Sequence, residues 1–206
     1  MKFRIVVFLF LLLFSVSLLY PLANRMMAEE AAGQDILWES FEKNNSWQAV
    51  ANSWNNGNGS TKTKAVTDFA TEGKKGLCLS FKMAKSNAAS YYTDSVSGKW
   101  SNWTKFSHLK VDVNNSTSAD LTMTLALMTG NPWIWLETQV VEIKPGLNTD
   151  VTFALKDFKT EATGWQFTSD LKYANDMHRV VFQFFGQVGL EGDIYIDNIR
   201  LTPVAD

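Results

Sequence analysis

The chain has 206 residues, with 19 Lys and Arg, 21 Asp and Glu, and a single cysteine, Cys78. One cysteine excludes an internal disulfide, and the slightly acidic balance makes nucleic acid and anionic membrane surfaces poor partners. The length suits one domain with a full hydrophobic core rather than two.

The N-terminus has the pattern of an export signal. Lys2 and Arg4 precede an apolar run over 5–20, and small residues follow it. This order is typical of a secretory signal peptide, so we interpret 1–28 as the signal and 29–35 as a short linker. An uncleaved membrane anchor is the alternative, because about 20 apolar residues can span a bilayer. In both cases we expect the protein outside the cell, secreted or anchored at the surface, with 16 basic against 21 acidic residues after position 28.

From residue 36 onward, apolar and polar residues alternate in short runs separated by turn residues. This period predicts strands with one apolar face each. The predicted strands are 36–42, 47–51, 64–70, 77–83, 89–93, 106–114, 121–128, 133–143, 151–155, 179–185 and 192–201. The segment 156–177 is predicted as a loop with one helical turn near 169–173. Many short strands with turns between them indicate an all-β fold, an antiparallel two-sheet β-sandwich of the jelly-roll type over 36–203.

The predicted strand 133–143 carries an unusual second face. If its alternation is unbroken, Val140 belongs to the apolar core face, and Trp135, Glu137 and Gln139 lie on the opposite face. A flat aromatic beside a carboxylate and an amide suits a sugar, whose ring has an apolar C–H face and many hydroxyls. The alternative is that Trp135 packs under a loop.

A second polar face comes from the predicted strand 179–185. Opposite its apolar set it carries Arg179, Gln183 and Phe185, which would lie beside Trp135 if the two strands are neighbours. The remaining candidates for a ligand site are Tyr91 or Tyr92, between which parity does not decide, and the loop residues Trp133 and Trp54.

Three segments in order resemble a known family. They are Trp38–Glu42 with Trp47 close behind, Ala70–Leu79, and Gly192–Leu201. They resemble the opening, a strand entry and the closing strand of jelly-roll carbohydrate-binding modules attached to bacterial xylanases, glucanases and mannanases, within the galactose-binding-like superfamily. The resemblance covers almost all of 36–203. It implies a non-catalytic protein that binds a polysaccharide or oligosaccharide of the β-glucan, xylan or mannan type on one sheet face.

The resemblance also implies a structural calcium. The matching positions are the carboxylates of Glu42, Glu72 and Asp197 and the carbonyl of Lys75. Calcium prefers six to eight oxygen ligands, both carboxylates and carbonyls, and a bound ion would tie the two ends of a disulfide-free domain together. The alternative is that the two glutamates are solvated surface acids and Asp197 caps a turn.

An enzyme is a less favoured interpretation. His108 and His178 lack partners at metal-ligand or nucleophile–base spacing. A glycosidase needs two carboxylates about 5 to 9 Å apart, and with unbroken alternation Glu142 lies on the face opposite Glu137. The alternatives to a sugar binder are an extracellular protein-interaction or structural β-sandwich, and a small jelly-roll glycoside hydrolase or polysaccharide lyase. We expect a monomer with no membrane contact beyond the possible N-terminal anchor.

Overall fold

The structure is a computed structural model that describes residues 33–43, 46–50 and 59–205. Within them the chain forms β-strands and two 3₁₀ turns, at Gly98–Ser101 and Glu161–Thr163. The strands are β1 Ile36–Glu39, β2 Gln48–Ala49, β3 Ser60–Val66, β4 Gly76–Lys82, β5 Ala88–Thr93, β6 Phe106–Asn115, β7 Leu121–Thr129, β8 Ile134–Glu137, β9 Val141–Ile143, β10 Gly146–Ala154, β11 Met177–Phe185 and β12 Glu191–Pro203. No described helix is long and apolar enough to cross a membrane. The interpretation of 1–28 as a signal lies outside the described residues.

The strands pair into two antiparallel sheets. Sheet I has the order β10-β6-β12-β4-β3, with β1 paired to β12. Sheet II has the order β2-β5-β11-β7-β8, with β9 also paired to β7. The two-sheet, all-β jelly-roll sandwich predicted from the alternation is confirmed.

The core lies between the sheets and is built from alternate residues of each strand. Val180, Phe182 and Phe184 of β11 are fully buried. Phe182 stacks on Trp47, with ring centroids 4.9 Å apart and an interplanar angle of 15°. It also packs against Phe153 of sheet I at 6.4 Å. Such aromatic contacts bury a large apolar area and so hold the two sheets together.

The predicted strand 133–143 is wrong as one element, because it breaks after Glu137. Thr138 donates its N–H to the Leu125 carbonyl at 2.9 Å, and its Oγ1 accepts the Leu125 N–H at 3.0 Å. The hydroxyl takes the place of a backbone carbonyl, so the ladder loses its register before β9 begins. Val140, predicted to face the core, is 60% exposed.

Two smaller expectations also differ from the structure. The third strand begins at Ser60 rather than at 64 and ends at Val66. The 3₁₀ turn of the long loop lies at Glu161–Thr163 instead of near 169–173. Both differences fall next to loops, where local turn hydrogen bonds decide the boundaries.

Strand β12 contains a bulge that lets two apolar pairs face the core. Ile194 and Ile196 are buried before it, and Ile199 and Leu201 are buried after it. The register against β6 shifts between Asp197 and Arg200, and Asn198 has a left-handed backbone with φ 54°. Asparagine tolerates that region better than most residues, and the extra residue restores the inward parity.

Truncating Phe182 tests the inter-sheet core. Phe182→Ala leaves a cavity between the sheets, so we expect a loss of about 3–5 kcal/mol in unfolding free energy by urea denaturation. Phe167→Ala is the matched control, because that ring is 38% exposed and its loss costs less. Equal destabilisation by the two variants would contradict the placement of Phe182.

Candidate functional site

The outer face of sheet II brings the predicted binding residues onto one surface. Inward burial of Val180, Phe182 and Phe184 forces the alternate residues of β11 to the other face. These alternate residues are Arg179, Val181, Gln183 and Phe185. Because β5 and β7 pair with β11 in continuous antiparallel ladders, the same parity extends to their side chains.

The ladder between β5 and β11 decides between Tyr91 and Tyr92. Tyr91 pairs with Phe182 and is fully buried, with its hydroxyl donating to the Ser80 carbonyl. Burial raises the pKa of that phenol. Tyr92 pairs with Val181 on the outer face and is partly exposed. The prediction of Tyr91 as a ligand contact is therefore wrong, and Tyr92 is the aromatic side chain that β5 carries on the outer face.

The predicted site required Trp135 and Arg179 to lie on neighbouring strands, and they do not. Strand β7 runs between them, with Met128 paired to Arg179 on one side and to Trp135 on the other. In the next row Ala126 separates Val181 from Glu137. Two strand spacings, about 10 Å, therefore separate the Trp135 and Arg179 backbones. Met128, which is partly exposed, lies between them, whereas the floor is low in the next row, because Ala126 is a small, fully buried side chain.

The β5 side of this face holds a fixed cation over an aromatic ring. The Arg179 guanidinium lies 4.3 Å from the centroid of the Tyr92 ring. It also forms a two-point ion pair with Asp94, of which the Nη2–Oδ2 distance is 2.8 Å. The Tyr92 hydroxyl donates to Gln48 Oε1 at 3.0 Å. A guanidinium held on two sides keeps its remaining N–H groups in a fixed direction.

The β8 side holds a carboxylate with two partners. Trp135 Nε1 donates to Glu137 Oε2 at 3.3 Å, and Lys159 Nζ lies 2.7 Å from Glu137 Oε1. The backbones of Glu137 and Lys159 also pair with each other. Trp135 is only partly buried, so its ring remains available to a ligand. Gln139, expected beside this pair, lies past the strand break and is exposed outside the ladder.

The remaining predicted sugar contacts lie at different places on the outer face of sheet II or at its margin. Gln183 is mostly buried and hydrogen-bonds Thr124 Oγ1 and Ser90 Oγ, each at 3.4 Å. Phe185 lies at the far end of β11 and is partly exposed. Trp133 is 46% exposed and stacks on His178, with centroids 4.9 Å apart. Trp54 lies outside the described residues.

The predicted calcium residues converge on one turn, 71–75. Asp197 Oδ2 accepts the N–H groups of Thr71 and Glu72 at 2.7 and 2.8 Å. Glu42 Oε1 accepts those of Lys74 and Lys75 at 2.6 and 2.7 Å, which lowers the pKa of Glu42. Carboxylates from near the first and last strands therefore hold the same turn.

One oxygen of this arrangement has no hydrogen-bond partner among the residues that the structure describes. Asp197 is fully buried, its Oδ1 accepts no hydrogen bond, and burial raises the pKa of its carboxyl. A buried, unpaired carboxylate oxygen fits a cation beside it. Glu72 is exposed, and no group of three acidic, His or Cys side chains among the described residues could hold a metal. A calcium here would take backbone carbonyls and water as its other ligands.

Comparison with known proteins identifies the family. The sequence profile of the family described as mannanase, galactose-binding domain-like matches residues 40–174. The chain belongs to this family. The matched region contains β8 and the loop around Trp165 and ends before β11. A search of curated protein sequences finds no match.

Solved structures of carbohydrate-binding modules share the fold of this family member. One is the family 11 module from Clostridium thermocellum in complex with a β-1,3-1,4-mixed-linked tetrasaccharide, 15% identical, with a TM-score of 0.58 over 84% of this chain and 98% of that one. Another is CBM27-1 of Caldicellulosiruptor saccharolyticus in complex with mannohexaose, 17% identical, with a TM-score of 0.52 over 84% and 99%. An exo-β-agarase matches with a TM-score of 0.55, but over only 25% of its own chain. The predicted resemblance to jelly-roll carbohydrate-binding modules is confirmed.

The strand break changes the position of the second carboxylate. Glu142 pairs with Thr122 of β7, and Glu137 pairs with Ala126. Both lie on the outer face, so the expectation that Glu142 faces the other way is wrong. Four residues of β7 separate their partners, which is about 14 Å. This backbone separation is larger than the distance of about 5 to 9.5 Å between the carboxyl groups of a glycosidase pair, and each carboxylate has its own lysine, Lys159 for Glu137 and Lys144 for Glu142.

Sequence reasoning missed the floor and the fixing partners of the site. Ala126, Thr124 and Met128 alternate with the core residues of β7, and their outward parity could have been read once β7 was placed beside β11. Asp94 and Lys159 lie in loops whose pairing depends on the fold. No local pattern predicts their contacts.

Tryptophan accessibility tests the geometry of this face. Trp133 is 46% exposed, whereas Trp47 is 3% exposed. We expect Trp133→Phe to reduce the acrylamide-quenchable part of the fluorescence, because acrylamide must touch the ring. Trp47→Phe should remove emission that acrylamide does not quench. An equal loss of quenchable emission in the two variants would contradict the placement.

Proposed function

We propose that the protein binds a polysaccharide or oligosaccharide on the outer face of sheet II without cleaving it. The observation that carries this proposal is the register of β11, β7 and β8. It sets Tyr92 and Trp135 on one face with the charged groups of Arg179 and Glu137.

The chemistry of this face suits a neutral sugar. The C–H side of a pyranose ring packs on Trp135 or Tyr92, and burial of a large apolar contact contributes about 1 to 3 kcal/mol. The hydroxyls hydrogen-bond to Arg179 and Glu137. Both of these are ion-paired already, so a neutral ligand does not have to neutralise a lone charge.

The comparisons support particular glycans for a first trial. The description of the family names mannanase. The structures of the similar modules contain mannohexaose and a β-1,3-1,4-mixed-linked tetrasaccharide. We propose mannan and β-glucan as the first ligands to test, with xylan as a third.

The absence of cleavage is part of the proposal. The separation of about 14 Å between the β7 partners of Glu137 and Glu142 supports it. Both carboxylate oxygens of Glu137 already have partners, Lys159 and Trp135. Release of reducing sugar from the same three polysaccharides would contradict this part.

The N-terminal sequence supports export of this binder. The basic start and apolar run of 1–28 suit a protein that meets polysaccharides outside the cell, secreted or anchored at the surface. We propose that it acts there as a monomer.

We also propose calcium at Asp197. Its unpaired Oδ1 supports a cation that would tie the turn 71–75 to the last strand. Thr71 and Glu72 donate to the other oxygen of the same carboxylate, so they would fix it toward the ion.

Affinity gel electrophoresis on the three polysaccharides tests binding. We expect at least one of them to retard the protein, and we expect Trp135→Ala and Tyr92→Ala each to weaken binding about 5- to 150-fold, the equivalent of about 1 to 3 kcal/mol of apolar contact. Tyr195→Ala is the matched control, because Tyr195 is a partly exposed aromatic of sheet I. Unaltered migration on every polysaccharide would sink the proposal.

Thermal unfolding with and without chelator tests the calcium. At a hundredfold excess over Kd, calcium should add about 2.7 kcal/mol of stability and raise the midpoint. We expect Asp197→Asn to remove this effect. Asp193→Asn should keep it, because Asp193 accepts from Ser80 elsewhere on the same strand. If chelator leaves the wild-type midpoint unchanged, the backbone hydrogen bonds alone hold the turn.

A further inference from the structure

A cleft opens where β8 meets the long loop after β10. It has a volume of about 570 Å³. Its lining comprises Pro132, Trp133, Ile134 and Trp135 on one side and Thr160, Glu161, Ala162 and Trp165 on the other. Three tryptophans therefore line one space, and two of them, Trp133 and Trp165, are 46% and 53% exposed. A single exposed aromatic is ordinary, but a group of them around one cleft indicates a binding surface.

The path of the loop explains why the cleft exists. Lys159 pairs with Glu137 as a short continuation of the sheet beyond β8. An antiparallel continuation would bring Glu161 opposite Trp135. A 3₁₀ turn begins instead at Glu161, and the chain bends away from β8. The gap left at this edge is the cleft, with Glu161 among the residues on its loop side.

Both exposed tryptophans are held in an unusual backbone conformation. Trp133 has φ 53° and Trp165 has φ 63°, in the left-handed region that bulky residues rarely adopt. Such a conformation persists only where its surroundings enforce it. Here the backbone N–H of Trp133 donates to the Gly130 carbonyl and that of Trp165 to the Thr160 carbonyl, both at 2.9 Å. These bonds hold the backbone at both positions, and the Trp133 ring is also stacked on His178.

The cleft is continuous with the outer face of sheet II through Trp135. That ring lines the cleft and also belongs to the row that runs through Met128 to Arg179. From the Tyr92 strand to β8 there are three strand spacings, about 14 Å, so a single ring cannot reach both ends. Trp133 covers part of this distance, because the Arg179 guanidinium lies 5.5 Å from the centroid of its ring, and the Trp165 side of the cleft is the far end of the path.

We propose that the cleft between Trp133, Trp135 and Trp165 is an extended subsite for a further sugar ring of the same glycan. This rests on the proposed function. The ligand then crosses the strands from Tyr92 toward β8 and enters the cleft, where indole faces hold its apolar side and Glu161 accepts from its hydroxyls. Affinity depends on chain length, because only a chain that spans the sheet face fills the cleft.

Isothermal titration with manno-oligosaccharides and mixed-linkage gluco-oligosaccharides of increasing length tests the subsite. We expect Trp165→Ala to weaken binding of the longest chains by about tenfold and of the shortest by less than twofold. Trp165→Tyr should restore most of the loss. Phe167→Ala is the control, because this exposed aromatic of the same loop does not line the cleft.

Failure of the subsite is distinguishable from failure of the binding proposal. If Trp135→Ala weakens binding at every length while Trp165→Ala changes none, sugar binding stands and the subsite is overturned. An equal loss at all lengths in Trp165→Ala also overturns it, since the residue would then act on the central face. If no oligosaccharide of any length binds the wild-type protein, both proposals fail. Thermal unfolding of each variant checks that the fold is retained.

Discussion

Strict alternation from Arg179 to Phe185 of β11 is the constraint on which the rest of the structure depends. Because Val180, Phe182 and Phe184 are buried between the sheets, the residues that alternate with them in β11 must lie on its outer face. Because β11 is bonded on both sides, this parity passes to β5 and β7 and, through β7, to β8. A slip of one residue would move the buried set of β11 to the outer face and its polar set into the core.

Charge on the candidate face is balanced locally. Arg179 is matched by Asp94, and Glu137 by Lys159. The face therefore offers strong hydrogen-bonding groups without a net field that would attract ions. Partly exposed ion pairs add little to stability. Their main effect is to hold each charged side chain in one orientation beside an aromatic ring.

The sequence predicted the sandwich and most strands because alternation is a local signal. It could not predict which strands are neighbours, so whether Trp135 lies beside Arg179 stayed conditional, and β7 proves to lie between them. Only the pairing of β5 with β11 shows that Tyr91 faces the core and Tyr92 the outer face. The break at Thr138 depends on a hydrogen bond from the Leu125 N–H to the Thr138 side chain. The alternation of apolar and polar residues in the sequence does not predict such a bond. At Asp197 and Asn198, two polar residues between buried isoleucines were a visible sign of a bulge.

The pairing of β1 with the end of β12 has a consequence for how the protein can be tethered. Ile36 lies opposite Leu201, so the chain enters and leaves the sandwich side by side in sheet I. The candidate face belongs to the other layer, about 10 Å away through the core. A surface or a fused partner attached at either end would therefore join the domain through sheet I and would not have to cover the aromatic face of sheet II.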